Sequence, residues 1–213
     1  TVDPLPPAYD GILVRSHNWR GMSESKVASI QAEFGARYPV SVRAAFMEVE
    51  GGNSANREGV NQLLVRYRGE EAIVNAISLF QPNETRFSGL HRAVTGENWF
   101  RAADPVSGTA ADRDTIILPD AVAEILGIEG HMLVDEAGNR LPREQLPEVQ
   151  FMNQYWRVIG ILDTRHANRI RDVNGKSLAL VDFLKSGMAT NISPGEIVTE
   201  GTTYHMDWRR LAI

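Results

Sequence analysis

YWRVIGILDTRH, residues 155–166, decides how this chain is read. Tyr155, Ile159 and Ile161 fall on one side of an extended segment, and Trp156, Val158 and Leu162 on the other. With both sides apolar, the pattern predicts a central strand covered on two faces. Gly160 in its middle predicts that a packed neighbour approaches the backbone closely. The run then breaks into Asp163, Arg165 and His166. Ligand and catalytic groups of open α/β sheets lie just beyond the carboxyl ends of strands. This tail is therefore either a site or a polar loop that ends a scaffold strand.

Working outward, TIILP (115–119) predicts a strand that runs straight into a helix, DAVAEILGI (120–128). Asp120 would cap that helix, Val122, Ile125 and Leu126 would face inward, and Gly127 would end it. HMLVDEAGNRLP (131–142) reads as a hairpin around Ala137, Gly138 and Asn139, and REQLPEVQFMNQ (143–154) as irregular chain. Near the N-terminus, SESKVASIQAEFGARYP (23–39) predicts an amphipathic helix. Its Val27, Ile30 and Phe34 share one face, Ser23 or Ser25 caps it, and Gly35 and then Pro39 stop it. Strands are predicted on either side, at GILVRS (11–16) and VSVRAAFMEVE (40–50). In the second, Val40, Val42, Ala44 and Phe46 alternate with Ser41 and Arg43.

QLLVRYR (62–68) and AIVNAISLF (72–80) are read as two strands about a Gly-Glu-Glu turn. GGNSANREG (51–59) and DPVSGTAADRD (104–114) are polar loops, and ETRFSGLHRAVTGENWF (84–100) is a short helix and a turn carrying Trp99 and Phe100. Two further strands fall between NGKSLALVDFL (174–184) and the C-terminus. About eight strands and three short helices in no strict alternation predict an α+β fold.

The bulk numbers set limits. The 213 residues suffice for one large domain or two small lobes. Lys and Arg number 22 against 27 Asp and Glu, and a net charge of −5 argues against a dedicated nucleic-acid binder. No cysteine is present, so disulfides, thiolate nucleophiles and Cys-based zinc sites are excluded. No apolar run reaches the ~18 residues of a membrane span. The start at TVDPLPPAYD without Met and the stop at DWRRLAI are read as the ends of a piece of a longer protein.

A search for chemistry assigns no catalytic, cofactor-binding or metal-ligating residue. Asp163 and His166 are three apart, but the nearby hydroxyls Thr164 and Ser177 sit in no activating motif, and G-x-S-x-G is absent. His17, His91, His131, His166 and His205 have no ligand spacing. The Gly51-Gly52 loop lacks the Lys and the following helix of a phosphate cradle. Glu70 and Glu71 are consecutive, so on a strand they point to opposite faces and fail as an acid–base pair. Trp99, Phe100, Tyr155 and Trp156 are read as core before they are read as a ligand wall. Asn83-Glu84-Thr85 and Asn191-Ile192-Ser193 match the glycosylation sequon, a pattern short enough to arise by chance.

Three stretches in order carry a resemblance: SGLHRAVTGENWFRAADP (88–105), DTIILPDAVAEILGI (114–128) and YWRVIGILD (155–163). Together they resemble the extracytoplasmic domain of MacB-type (type VII) ABC-transporter permeases, the group with the lipoprotein-releasing and FtsX-like permeases. That domain carries a G-R-W-F-x-x-x-D turn, a strand and helix of the kind V-V-L-x-x-x-x-A-x-x-L-F-G, and a later F-x-V-I-G-V strand. Here Glu97 and Asn98 stand before Trp99 where Arg is usual, and Ile125-Leu126-Gly127 where Leu-Phe-Gly is usual. The stretch ESKVASIQAEFGARYPVSVRAAFM (24–47) also resembles the segment just after that family's first membrane helix.

The resemblance implies a two-lobed α+β domain: a porter-like lobe from residues 1–82 and 167–213, and an inserted small α/β (Sabre-like) lobe from 83–166. It implies no enzyme and no cofactor. It implies a place on the periplasmic or extracellular face of a membrane, held by helices outside this sequence. Its partners would be an ABC ATPase, a periplasmic adaptor or cargo, and a second copy in the full transporter, with no nucleic acid. The hinges between lobes would be QPNETRFSG (81–89) and DTRHANR (163–169). Two other classes stay open. A periplasmic binding or sensor module would show an apolar pocket with converging polar groups. A hydrolase assembled from remote residues would need partners within hydrogen-bond reach of Asp163, His166 or Glu70.

Overall fold

The computed structural model describes residues 22–47, 63–74, 76–102, 112, 114–172, 177–179, 209 and 211–213. The strand at 11–16, the loop at 51–59, His17, His205, Asn191 and most of 174–208 lie outside them. The fold is α+β, with two sheets and three α-helices among the described residues. The helices are α1 (Glu24–Phe34), α2 (Asp120–Leu126) and α3 (Thr164–Ala167). One sheet orders β1 (Arg43–Met47), β4 (Ala76–Phe80) and β8 (Leu211–Ala212). The other runs β3 (Glu70–Val74), β2 (Leu63–Tyr67), β6 (Glu148–Phe151), β7 (Gln154–Leu162) and β5 (Thr115–Pro119).

The stretch that opened the reading is a central strand. β7 pairs antiparallel with β6 and parallel with β5. A bulge skips Ile159, so that Ile116 faces Val158 while Ile117 faces Gly160. An extra residue resets the side-to-side alternation, and Val158, Ile159 and Gly160 are all buried in succession. A Cβ on Gly160 would overlap Val94 Cγ1, with Ile117 Cγ1 and the Asn98 carbonyl oxygen each 3.8 Å away. The close neighbour is thus the loop strand at Val94, which bridges to Leu162. The N-terminal half of β7 differs from the expectation: Tyr155 is 63% exposed and Trp156 half-buried. The sheet is covered on one face only there, with Leu64, Arg66, Gln150 and Tyr155 on the open side.

Turn chemistry sets the register of this sheet. Arg68 and Gly69 both have positive φ (49° and 93°) and join β2 to β3 with Tyr67 opposite Glu70. That is a two-residue turn whose twist suits a hairpin. The expected Gly-Glu-Glu turn is therefore displaced, and both glutamates begin β3. Met152 and Asn153, also at positive φ, make the second such turn between β6 and β7. β6 occupies chain that was expected to be irregular.

AIVNAISLF is not one strand. Val74 ends β3 and Ala76 begins β4 in the other sheet, both buried. Val65 and Arg66, from the segment assigned to a first lobe, pair with Phe151 and Gln150 from the segment assigned to the insert. β8, from the last segment, lies parallel to β4. Beyond β8, Ile213 exchanges both backbone hydrogen bonds with Ile117 of β5, at 2.6 and 2.9 Å. The C-terminal residues thus join the two sheets edge to edge, and one apolar cluster runs from Val65 and Val149 to Ala76, Ala212 and Ile213.

The helices obey their caps more closely than their faces. Ser23 accepts from Lys26 N–H at the start of α1, but none of the helix residues is buried and Phe34 is 42% exposed. In α2, Gly127 ends the helix at φ 65°, a left-handed position that a residue with a Cβ takes at a cost. Val122, Ala123 and Leu126 are buried, whereas Ile125, expected inward, is 55% exposed. Residues 82–97, expected as one short helix and a turn, form three 3-10 turns: Pro82–Arg86, Leu90–Ala93 and Thr95–Glu97.

Candidate functional site

β5 and β7 are parallel neighbours, so their carboxyl ends meet, and the polar tail that followed β7 in sequence lies there. Asp120 holds it. Its carboxylate accepts the Thr164 hydroxyl at 2.9 and 3.0 Å, the Thr164 N–H at 3.2 Å and the Ala121 N–H at 2.8 Å. Asp120 is the first residue of α2, preceded by Pro119 at the cap position, so its role is to tether α3 rather than to cap α2. Asp163 caps α3 instead, accepting from Arg165 N–H and His166 N–H at 2.9 and 3.1 Å. Its own N–H donates to the Ala93 carbonyl at 2.7 Å.

Thr164 is 3% exposed and its hydroxyl is engaged by Asp120, so as a nucleophile it has no access to substrate. The Asp163 carboxylate takes backbone N–H groups, not the His166 imidazole, which lies on the surface. Ser177 accepts from Ala179 N–H at 3.1 Å. Glu70 begins β3, three strands away from β7, or about 14 Å across the sheet at the usual strand spacing. The structure thus separates Glu70 from Asp163 and His166. Its answer to the opening question is a clamp that fixes the start of α2 to the start of α3.

The remaining sequence candidates disperse. His131 and His166 are exposed; His91 is half-buried in the turn Leu90–Ala93. Burial first, and then Arg92, lower the His91 pKa below its ordinary value against an opposing pull from Glu97. Among the described residues no three His, Asp or Glu side chains are arranged to hold a metal ion. Trp99 is core: 7% exposed, beside Phe80 and Phe100 at 5.8 and 5.3 Å, its indole donating to the Gln81 carbonyl. Asn83 of the first sequon donates its amide to the Val40 carbonyl at 2.8 Å, so the group a glycan would need is engaged.

Two polar assemblies have no motif in the sequence. The first is built on Glu84, wholly buried, which accepts from the Ser41 hydroxyl at 2.8 Å and from Arg43 at 2.7 and 3.1 Å. Arg43 also reaches Asp172 at 3.0 Å. Burial alone would lower the Arg43 pKa, but hydrogen bonding and charge from Glu84, with Asp172 adding, hold it above its usual value. Ser41 and Arg43, expected on the outer side of β1, face this network, while Ala44 is exposed. The 81–89 segment, expected as a hinge with little to lock it, is gripped instead by Gln81, Asn83 and Glu84.

The second is a cleft of about 240 Å3 at the opposite end of β5 from the clamp. Its floor is Ile159, the bulged residue of β7, with Leu141, Pro142 and Leu146 beside it, and Thr115 at the start of β5. Arg101, Arg140 and Arg143 stand around it with one carboxylate, Asp112. Both oxygens of Asp112 are engaged: they take the Arg140 fork at 2.9 and 3.1 Å, and Oδ2 also accepts the Arg101 N–H at 2.8 Å. The arm that carries Arg140 is set by a turn in which Asp135 accepts from Asn139 and Ala137 N–H at 2.8 and 2.9 Å. Those bonds, Asn139's first, hold the Asp135 carboxyl below the usual carboxylate range. The lining residues come from 101, 112, 115, 140–143, 146 and 159, so no local spacing could have announced them.

Among the described residues, no helix is long and apolar enough to cross a membrane. Comparison with known proteins finds no family model and no curated protein that matches the chain.

Proposed function

We propose that this chain is the extracytoplasmic domain of a MacB-type or FtsX-like ABC-transporter permease. It passes ATP-driven motion from membrane helices to substrate or partner proteins outside the cytoplasm. The observation that carries this reading is the meeting of distant chain segments: β8 (Leu211–Ala212) shares a sheet with β1 and β4. A domain driven from both sides needs early and late chain segments mechanically joined, and 43–47, 76–80 and 211–212 are joined by backbone hydrogen bonds. Support also comes from the quoted motifs, since Trp99 is core, TIILP runs into a helix ended by Gly127, and VIGIL is central.

The test uses the full-length protein. Tyr155→Cys gives a lone exposed thiol in a stretch that otherwise has none. A membrane-impermeant maleimide should label it in intact spheroplasts, and the protein should copurify with an ABC ATPase. Labelling that requires lysis overturns the reading. A second experiment addresses motion: Ile117 and Ile213, as a reciprocal hydrogen-bonded pair, lie about 5.5 Å apart at Cα, within disulfide reach. Oxidised Ile117→Cys/Ile213→Cys transporter should hydrolyse ATP without exporting, and reduction should restore export. Export through a complete crosslink means that the sheets need not part.

A second reading, a periplasmic ligand-binding or sensor module, is favoured by the cleft over Ile159, whose lining combines Leu141, Pro142 and Leu146 with Arg101, Arg140 and Asp112.

A further inference from the structure

We infer that His91 is an acid-operated release for the contact between the turn Leu90–Ala93 and the start of α3. Protonating its imidazole frees that contact while the sheets stay folded. The geometry that carries this is an orphaned atom. His91 Nδ1 is sealed from solvent and has no hydrogen-bond partner, although the ring as a whole is half-buried. A neutral imidazole tolerates that place, with its one N–H on Nε2 and a bare lone pair on Nδ1. An imidazolium carries an N–H on both nitrogens, so it would leave a buried, charged donor without an acceptor. Burial, the first cause of the lowered His91 pKa, acts in the same sense.

The turn supports more than itself. The His91 carbonyl accepts the Val94 N–H at 3.0 Å, and the Ala93 carbonyl accepts the Asp163 N–H at 2.7 Å. Val94 in turn bridges to Leu162 and lies over Gly160. The end of β7 and the cap of α3 therefore rest on four residues of 3-10 helix, a form with poorer hydrogen-bond geometry than an α-helix. Opening that turn brings an imidazolium to water at less cost than opening the core, which makes it the place where acid acts first. Thr164 stays tied to Asp120, so the release is confined to the Ala93 side.

The surrounding charges set the balance. Arg92, beside His91, opposes its protonation, and Glu97 of the following turn favours it. Glu84 of the preceding turn is committed to Ser41 and Arg43, and Arg86 is exposed. At α3, the Asp163 carboxylate is occupied by backbone N–H groups, and Arg165 and His166 are exposed. His166 is thus the second imidazole on these elements, and the control.

The experiment follows the 213-residue chain by NMR as it is acidified from about pH 7.5, above the ordinary imidazole value of about 6.5, until the His91 ring resonances report protonation. Hydrogen exchange, corrected for its intrinsic pH dependence, reads protection at each step. As His91 protonates, protection of the Asp163 and Val94 amides should fall at least about threefold more than that of Val65 in the five-stranded sheet. His91→Gln, neutral throughout, should keep the protection and abolish its pH dependence, and His166→Gln should leave that dependence intact. Unchanged protection at Asp163 once His91 is protonated overturns the inference, because the ring then reaches water by rotating alone. So does a loss shared equally by Val65, one that persists in His91→Gln, or one that vanishes in His166→Gln. The wild-type comparison decides even where His91→Gln folds poorly. None of these results bears on the labelling test of membrane topology, so this device and the permease reading fail separately.

Discussion

Replacing Gly160 by Ala should cost about 1–3 kcal/mol, the usual range for forcing an extra carbon into a packed core. The new Cβ would overlap Val94 Cγ1, and Val94 cannot swing away: it is 4% exposed, bridged to Leu162, and β-branched. Gly160 itself has no positive φ, so the cost arises from the collision and not from the backbone. At about 2–4 °C per kcal/mol for a chain of this length, the midpoint should fall by roughly 2–12 °C. The stronger test is a cycle with Val94→Ala. That change removes two methyl groups at ~0.8 kcal/mol each, plus a cavity term. In the double variant the methyl added at position 160 enters the vacated space, so Gly160→Ala should add almost nothing to Val94→Ala, a coupling of about 1–3 kcal/mol. Urea unfolding followed by tryptophan fluorescence, with m held constant, reads all four corners. Additivity to within about 0.5 kcal/mol would mean that Val94 is not the neighbour that excludes a side chain at 160.

Glu84→Ala leaves the Arg43 charge in a largely buried site with Asp172 alone and should cost about 3–5 kcal/mol, whereas Arg66→Ala, which breaks the exposed pair with Glu71, should cost less than about 1 kcal/mol in the same urea assay. Trp99→Ala should cost about 3–5 kcal/mol and Tyr155→Ala less than about 0.5 kcal/mol; near-equal values would place the aromatic core elsewhere. Because the folded His91 pKa is lowered, the unfolded chain binds more protons on acidification. Stability should be intact above the unfolded value of about 6.5 and be lost as pH falls through the folded one. His91→Gln should flatten that slope in thermal melts below pH 6.5, and an unchanged slope would remove His91 as its cause.

What was legible in the sequence is what depends on neighbours along the chain. The caps at Ser23 and Gly127, the strand 115–119 and the apolar run of β7 all follow from spacing of a few residues, and all are present. Errors arose where the outcome depends on which element lies opposite. The apolar run 72–80 changes sheet between Val74 and Ala76, and both ends are buried, so hydrophobicity cannot mark the change. Ser41 and Arg43 look like an outer face until Glu84 is set opposite them. β6 did carry a signal, the alternation of Glu148, Val149, Gln150 and Phe151. The cleft carried none, because its arginines and its aspartate converge only through the fold.

The edge-to-edge joint at Ile213 has a kinetic consequence. Its pairs, Ala76 with Leu211 and Ile117 with Ile213, span on the order of a hundred residues or more, and closing loops of that length is slow. In synthesis these residues also leave the ribosome after every other described strand. Until they arrive, β4 and β5 each present an unpaired edge, the kind of surface on which strands from other molecules add. Refolding of the 213-residue chain should therefore end in a phase that is sensitive to substitutions at Ala212 and Ile213, and aggregation should compete most strongly just before it.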